Sequence, residues 1–542
     1  MINKNQVTIF IIFCIILFAS VTRLFKLGEI PQGLSWDEAA VGYNGWSIWT
    51  TRRDEWLNFL PVSFKSFGDY KAPLAIYMNG ASTTLFGFEN WAIRLPYALS
   101  AIFSIIIFCC ITQLLAWKGY FSSTSALYGA IIFAALPWHI HFSRISFEST
   151  ISLLLVLLAV FCIVLFDKIK ERLESKHHES LAAATSIGVA FFLSLSLYAY
   201  HSSKIFVPVL LILLTAIFRK TIFKERRIIS IFVLSLIIFS LPLLRDSLLG
   251  AGGTRSDVLI KVSVSRPLDS IKEVAVNVLQ HLEPDYVLFG KTDTLRHGDG
   301  AFGILLPGML CLLLIGLFLD SKLFLVRSGR FADVSRHQRL FLITIAWLVA
   351  GMLPGWISQD APHANRTLLA LPSLILFAML GWDYLHTAIT QSNPGRSDLA
   401  RSVLGICILV DILWFIGYQH HYYYVFSKNS DDAFQSGYAE IHDYLASRRE
   451  AGTLPSTVVF SGVYGQPQIY ALLYEKINPV SYHQNALKQY VFVERVNMGD
   501  LSRADALIVS TVVDRLPVQE VDSIRSKSGV TRFYVYDSIV EK

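Results

Sequence analysis

Charge is scarce in this 542-residue chain: Asp, Glu, Lys and Arg make up 16% of it, while 53% is hydrophobic. Average soluble domains carry roughly a quarter charged residues. A water-soluble core of this length does not need so much apolar surface, so the composition predicts a protein that crosses a membrane several times. The mean hydropathy is +0.48. Excess basic charge is also small, a net +6, and it gathers in loops between hydrophobic runs, which argues against a nucleic-acid partner. Cysteine is sparse. Cys14, Cys109, Cys110, Cys162, Cys311 and Cys407 all lie inside apolar runs, none at metal-ligand spacing with histidine, and they define no disulfide framework. The chain has no phosphate-binding glycine loop of the Walker type, no serine-nucleophile elbow and no zinc motif. Internal repeats, low-complexity tracts and heptads are missing too.

What is present is a series of long apolar runs. The first, Val7 to Val21, follows Lys4. It is too long for a signal-peptide core and no small-residue cleavage site follows, so it reads as a retained anchor. Further spans are expected near 91–116, 122–140, 150–166, 181–199, 204–218, 228–244, 302–325, 340–357, 366–385 and 402–419, giving about eleven crossings of a roughly 30 Å core. Alternate short loops are basic: Lys168, Lys170, Arg172 and Lys176; Arg219, Lys220, Lys224, Arg226 and Arg227; Lys322, Arg327, Arg330, Arg336 and Arg339. Basic loops stay in the cytoplasm. The N-terminus is then cytoplasmic, and 27–90, 246–300 and the tail from 421 lie outside. The tail alternates a helical stretch, Ala433 to Arg449, with strand-like Thr457–Phe460, Ala506–Ser510 and Arg532–Tyr536. The expected architecture is a polytopic α-helical membrane part over 1–420 and a small extracytoplasmic α/β domain over 421–542.

Chemistry-bearing residues gather on the expected outer face. Leu34-Ser-Trp-Asp-Glu-Ala-Ala40 puts the carboxylates of Asp37 and Glu38 side by side just after the first span. Ser35 and Glu38 have capping-box spacing, so helix capping and catalysis both remain open for this pair. Phe67-Gly-Asp-Tyr-Lys-Ala-Pro73 follows in the same loop. Here Asp69, Tyr70 and Lys71 offer a carboxylate, a phenol and an ammonium; Lys71 fits either a snorkelling lysine or a group that neutralises a lipid phosphate. At another outer turn, Arg144 and Glu148 have the i, i+4 spacing of a helix pair. An outer arginine also suits an anionic ligand. Arg255, Arg296 and His297 stand in the long outer loop, and His363 and Arg366 at the mouth of a span, where they suit contact with a phosphate or a sugar. The pattern is a carboxylate amid scattered cations.

Asp37-Glu38, Asp69-Tyr-Lys71-Ala-Pro73, Arg94-Leu-Pro96, Ser143-Arg-Ile-Ser-Phe-Glu148 and His363-Ala-Asn-Arg366 together resemble the GT-C-fold membrane glycosyltransferases, in particular the family-39-like protein O-mannosyltransferase and aminoarabinose-transferase superfamily. The resemblance covers about residues 5–420. It implies an inverting glycosyltransferase with a polyprenyl-phosphate-linked monosaccharide donor, Asp37 as general base and Lys71 on the donor phosphate. The family's Lys-Pro-Pro-like motif is Lys-Ala-Pro here, which keeps the lysine. The Trp-Trp-Asp motif of oligosaccharyltransferases is missing, which argues against a diphosphate-linked donor and its metal. No cofactor or metal is expected.

Three other readings compete. A transporter or glycolipid flippase needs ionisable groups at mid-membrane depth. A glycan-binding scaffold would tolerate loss of Asp37. A lipid-phosphate phosphatase calls for clustered Arg and His pairs. The acceptor, whether protein, lipid or glycan, is open. A bacterial inner membrane is the expected location.

Overall fold

The structure, a computed structural model, describes residues 4–172, 174, 177–250, 267–327, 336–391 and 393–539. The chain divides into two compact units. One comprises Met1–Phe25, Tyr97–Ser143 and Phe147–His420; the other comprises Lys26–Pro96, Arg144–Ser146 and His421–Lys542.

Each of the eleven expected spans has a helical counterpart. In chain order the long helices and the first strands are α1 (Lys4–Leu24), α2 (Trp36–Thr51), β1 (Phe64–Ser66), β2 (Asp69–Lys71), α3 (Pro73–Phe86), α4 (Asn90–Trp117), α5 (Ser123–Ala135), α6 (Pro137–Ser143), α7 (Ser149–Lys170), α8 (His178–Ala199), α9 (Ser203–Lys224), α10 (Arg226–Leu249), α11 (Pro267–Gln280), α12 (Pro307–Arg327), α13 (Arg336–Trp356), α14 (Leu371–Gln391) and α15 (Pro394–His421). Among the described residues eight helices are long and apolar enough to cross a membrane, and nine if α5 and α6 are one broken span. The two differ in direction by 51°. Pro137 has no N–H to continue the helical ladder, so the run expected as one span at 122–140 breaks there. In α9, Phe218 leaves helical geometry at φ −105° and ψ 17°, which shortens its regular part. The first unit also buries Arg23 completely. Its guanidinium donates to Ala134 O at 3.0 Å and Thr22 Oγ1 at 2.8 Å, the internal pairing that a charge inside a membrane helix requires.

The second unit joins the loop after the first span to the tail. Its tail contains α16 (Tyr438–Glu450), β3 (Thr457–Ser461), α17 (Pro467–Tyr474), β4 (Tyr490–Val493), β5 (Ala506–Thr511), β6 (Asp522–Arg525) and β7 (Thr531–Asp537). The sheet order is β4-β3-β5-β7-β6; β3 runs parallel to β4 and β5, while β7 runs antiparallel to β5 and β6. The three expected strands are β3, β5 and β7. The expected helix from Ala433 starts only at Tyr438, because Gln435 and Gly437 take positive φ of 47° and 97°. Leu34, Ala39, Ala40, Tyr43 and Ile93 share one hydrophobic core with Tyr438, Phe460, Tyr470, Leu507 and Phe533. The loop after the first span and the tail, some 400 residues apart in sequence, are therefore one folded body.

Candidate active site

Ser35 is the N-cap of α2, with extended backbone at φ −62° and ψ 156°, and Glu38 completes a capping box. Asp37 therefore sits in the first helical turn, where free backbone N–H groups favour negative charge. Lys71 ends the hairpin β1–β2, in register with Phe64. The hairpin turns at Phe67 and Gly68, both at positive φ. Two residues on, Pro73 opens α3 at its first turn, where a missing N–H costs nothing. Helices α2 and α3 touch backbone to backbone. A Cβ added at Gly45 would lie 2.7 Å from Gly80 N, and one at Gly80 would lie 2.3 Å from Gly45 O. That approach brings Lys71 onto Asp37, and Nζ pairs with Asp37 Oδ1. The Lys71 side chain is 9% exposed and that of Asp37 is 32% exposed. Lys71 is thus held against a carboxylate rather than snorkelling. Asp69 and Tyr70 are half-buried in the same hairpin, where Asp69 Oδ1 accepts the Tyr70 N–H at 2.6 Å.

Glu38 faces inward. It is 3% exposed and accepts from Arg94 Nε at 2.9 Å, from Ser35 N at 3.1 Å and from Ser146 N at 3.2 Å. Arg94 is fully buried and also donates to the carbonyls of Pro31 at 2.8 Å and Gly33 at 2.7 Å. Its fan of donors closes the chain entering α2 into a fixed loop. The two acids that look equivalent in sequence are unlike in structure: Asp37 meets solvent, and Glu38 is consumed by the buried pair. Arg144 is fully buried as well. It donates to Lys26 O at 3.1 Å and Ile30 O at 3.2 Å and lies over the rings of Tyr422 and Tyr423 at 5.4 and 5.7 Å. It holds the same entering segment.

The tail grips this segment by side chains that carry no sequence motif. Gln435 Oε1 accepts from Trp36 N at 2.8 Å, next to Asp37, and Gln435 Nε2 donates to Tyr464 O at 2.6 Å. The Tyr470 hydroxyl lies 2.8 Å from both Leu34 O and Gln435 Oε1. Gln435 and Tyr470 hold the segment beside Asp37 without having stood out in the sequence, and Arg94 stood there in the family pattern without an assigned role. Only Arg94 left a signal, a charge at the start of an apolar helix.

The remaining candidates belong to the first unit. His297 and His363 place their rings 4.3 Å apart. Burial, then the neighbouring Arg296 charge, pushes His297 down to about 4, so it is a neutral ring at physiological pH. His363 caps a short helix (Ala364–Thr367) by accepting the Arg366 N–H. Arg366 Nη2 pairs with Asp360 at 3.0 Å, while its Nη1 is buried without a hydrogen-bond partner among the described residues. Arg296 O lies 3.1 Å from His141 Nε2. Glu148 occupies the N-cap position of α7 without a side-chain cap bond. Arg255 lies outside the described residues. Among the described residues no group of three or more His, Cys, Asp or Glu is placed to hold a metal ion.

Against known proteins, residues 70–244 match the sequence profile of the family described as dolichyl-phosphate-mannose-protein mannosyltransferase. None of the curated proteins compared matches the chain. Among solved structures, ArnT from Cupriavidus metallidurans bound to undecaprenyl phosphate superposes with a TM-score of 0.56 at 11% identity, covering 98% of both chains. The apo form of that ArnT gives 0.55 at 10% identity over 97% of each. The apo oligosaccharyltransferase of Archaeoglobus fulgidus gives 0.56 at 11% identity, over 94% of this chain and 70% of the other. The fold is the GT-C fold of membrane glycosyltransferases, with a small C-terminal domain. These likenesses establish the fold, and the family pattern is confined to residues 70–244.

Proposed function

We propose that the chain is an inverting glycosyltransferase that moves one sugar from a polyprenyl-phosphate donor to an acceptor hydroxyl on the outer face of a membrane. The observation that carries this reading is the Asp37–Lys71 pair, a partly open carboxylate at the start of α2 beside a nearly buried ammonium at the end of β2, just before α3, with α2 and α3 in backbone contact at Gly45 and Gly80.

The chemistry follows from the charges. The acceptor oxygen attacks the anomeric carbon as the bond to the phosphate oxygen breaks, and the phosphate monoester leaves with the electron pair. Asp37 takes the hydroxyl proton, a step worth typically a factor of 10²–10⁴ in rate. Positive charge develops on the sugar as in other glycosyl transfers. Lys71 supplies fixed positive charge for the departing phosphate, and such preorganised groups contribute roughly 3–4 kcal/mol. In the resting site Lys71 neutralises Asp37; a donor phosphate that draws the ammonium towards itself frees the carboxylate to act as base. Glu38 and Arg94 position, and do not touch, the reacting groups. Within the first unit, Arg366, whose Nη1 has no hydrogen-bond partner among the described residues, and the neutral His297 are separate candidates for contact with a phosphate or a sugar. The acceptor is any extracytoplasmic hydroxyl of protein, lipid or glycan. The basic loops support an inner-membrane protein with its N-terminus in the cytoplasm.

Asp37→Asn tests the reading: the variant should stay folded in detergent and lose transfer. Full transfer by that variant would sink the assignment.

A further inference from the structure

The amphipathic helix α11 is built inside out. Ser270, Asn277 and His281 face the protein and are 2–6% exposed. Asn277 Nδ2 donates to Trp356 O at 2.8 Å and to Ser358 O at 2.9 Å. His281 Nδ1 lies 2.7 Å from Asn277 O, and His281 Nε2 accepts the His363 N–H at 3.1 Å. The ring is thus a neutral imidazole with its proton on Nδ1, in keeping with a titration lowered by burial. The opposite face carries Leu268, Ile271 and Leu279 at helical spacing, with Leu282 in the turn just after the helix, and all four are 66–73% exposed. A helix on a water-soluble surface turns its apolar stripe inward and its polar face out, and four large aliphatic side chains left outside in one stripe mark a surface with a partner.

We propose that α11 is a membrane-interface helix whose Leu268–Ile271–Leu279–Leu282 stripe is embedded among lipid acyl chains. Its position identifies the occupant. The polar face is bonded to the carbonyls at the end of α13, a candidate span, and to the residue that precedes the next span, Ala364–Gln391. The helix is therefore fastened at the rim of two membrane helices, at the level where hydrocarbon gives way to headgroups. A helix with one apolar and one polar face at that level lies in the interface plane. Lys272, exposed on the edge of the stripe, has a stem long enough to reach headgroup phosphates. Exposed aliphatic side chains also mark the candidate span α10, where Ile237, Leu241 and Leu244 are 44–58% exposed. Through His281 and Asn277 the lipid-embedded helix braces the backbone of His363, so a bilayer contact supports one wall of the His297–His363 pair.

The native chain, reconstituted in phosphatidylcholine–phosphatidylglycerol vesicles containing a phospholipid with a mid-chain diazirine, tests this directly. After irradiation, mass spectrometry should find lipid adducts on Leu268, Ile271, Leu279 or Leu282 and none on Ser270 or Asn277. Labelling of α10 with none on α11 would overturn the proposal. Nitroxides at Leu279→Cys and Asp269→Cys, in a chain with its six native cysteines replaced, provide the second measurement. The ratio of oxygen to nickel-chelate accessibility should be several-fold higher at 279 than at 269. Equal ratios would place the stripe in water, and low access to both reagents at 279 would mean that a second copy of the chain or another protein covers it; either result refutes a lipid contact.

Discussion

Replacing Glu38 by alanine strikes the buried network that positions Asp37 without touching Asp37 itself. The carboxylate removed is 3% exposed, and its partner Arg94 is fully buried, so the guanidinium would be left with carbonyl acceptors but no counter-charge. Removing one member of a buried ion pair typically costs about 3–5 kcal/mol. Loss of the capping-box interaction at Ser35 adds about 1 kcal/mol. Against a total stability of roughly 5–15 kcal/mol for a folded domain, that is a large fraction. Glu38→Gln keeps the shape and one acceptor oxygen, and is expected to cost about 1–3 kcal/mol. Asp37→Asn removes a pair that is one-third open to water on the acid side, for which about 1 kcal/mol is expected. Thermal unfolding of the four proteins in one detergent should therefore rank native and Asp37→Asn together, Glu38→Gln lower and Glu38→Ala lowest. If Glu38→Ala melted with the native protein and lost only activity, Glu38 would be a reacting group and the division of labour between the two acids would be wrong.

Three further outcomes are expected. Lys71→Ala should raise the apparent donor KM more than the acceptor KM; an unchanged donor KM would count against contact with the phosphate. Tyr470→Phe should cost about 0.5–1.5 kcal/mol of stability through its lost hydrogen bond, and Gln435→Ala should lower kcat with little change in donor KM, because the groups that hold Leu34 and Trp36 act on geometry rather than binding; unaltered kcat in the Gln435 variant would remove the tail from the positioning of Asp37. Burial raises Glu55 to about 7 from an ordinary 4.5. Between those values the folded state holds a proton that the unfolded state has released, so stability should fall as pH rises through that window, by roughly 3 kcal/mol in all, and level off above it. Glu55→Gln should flatten the curve; a native protein with no pH dependence there would contradict the burial argument.

Much of the membrane part is legible in the sequence because apolar run length is a direct consequence of bilayer thickness. The exceptions have local causes: Pro137 splits one run, and Phe218 interrupts another. The capping box was legible in Ser35-x-x-Glu38, as was the presence of a nearby ammonium in Lys71. What remained invisible were partners set by tertiary contact. Nothing in the sequence pairs Arg94 with Glu38 across 56 positions, or Gln435 with Trp36 across 399. Strands β4 and β6, four residues each, are too short for alternation to stand out, and they exist because β3 and β7 offer edges to pair with. Helix α11 carries a visible amphipathic pattern, yet in sequence its polar face looks like the solvent side. Only the bonds of Asn277 and His281 show which face is turned in.

The central claim is that Asp37 removes the acceptor proton while Lys71 holds a lipid-linked phosphate. The most direct measurement incubates purified protein in lipid vesicles with radiolabelled polyprenyl-phosphate monosaccharides, comparing the native chain with Asp37→Asn in the presence of an acceptor-containing membrane extract. Release of sugar from one of these lipids by the native chain, lost in Asp37→Asn, is the predicted result. Equal release by both proteins, or none from any donor, would contradict it.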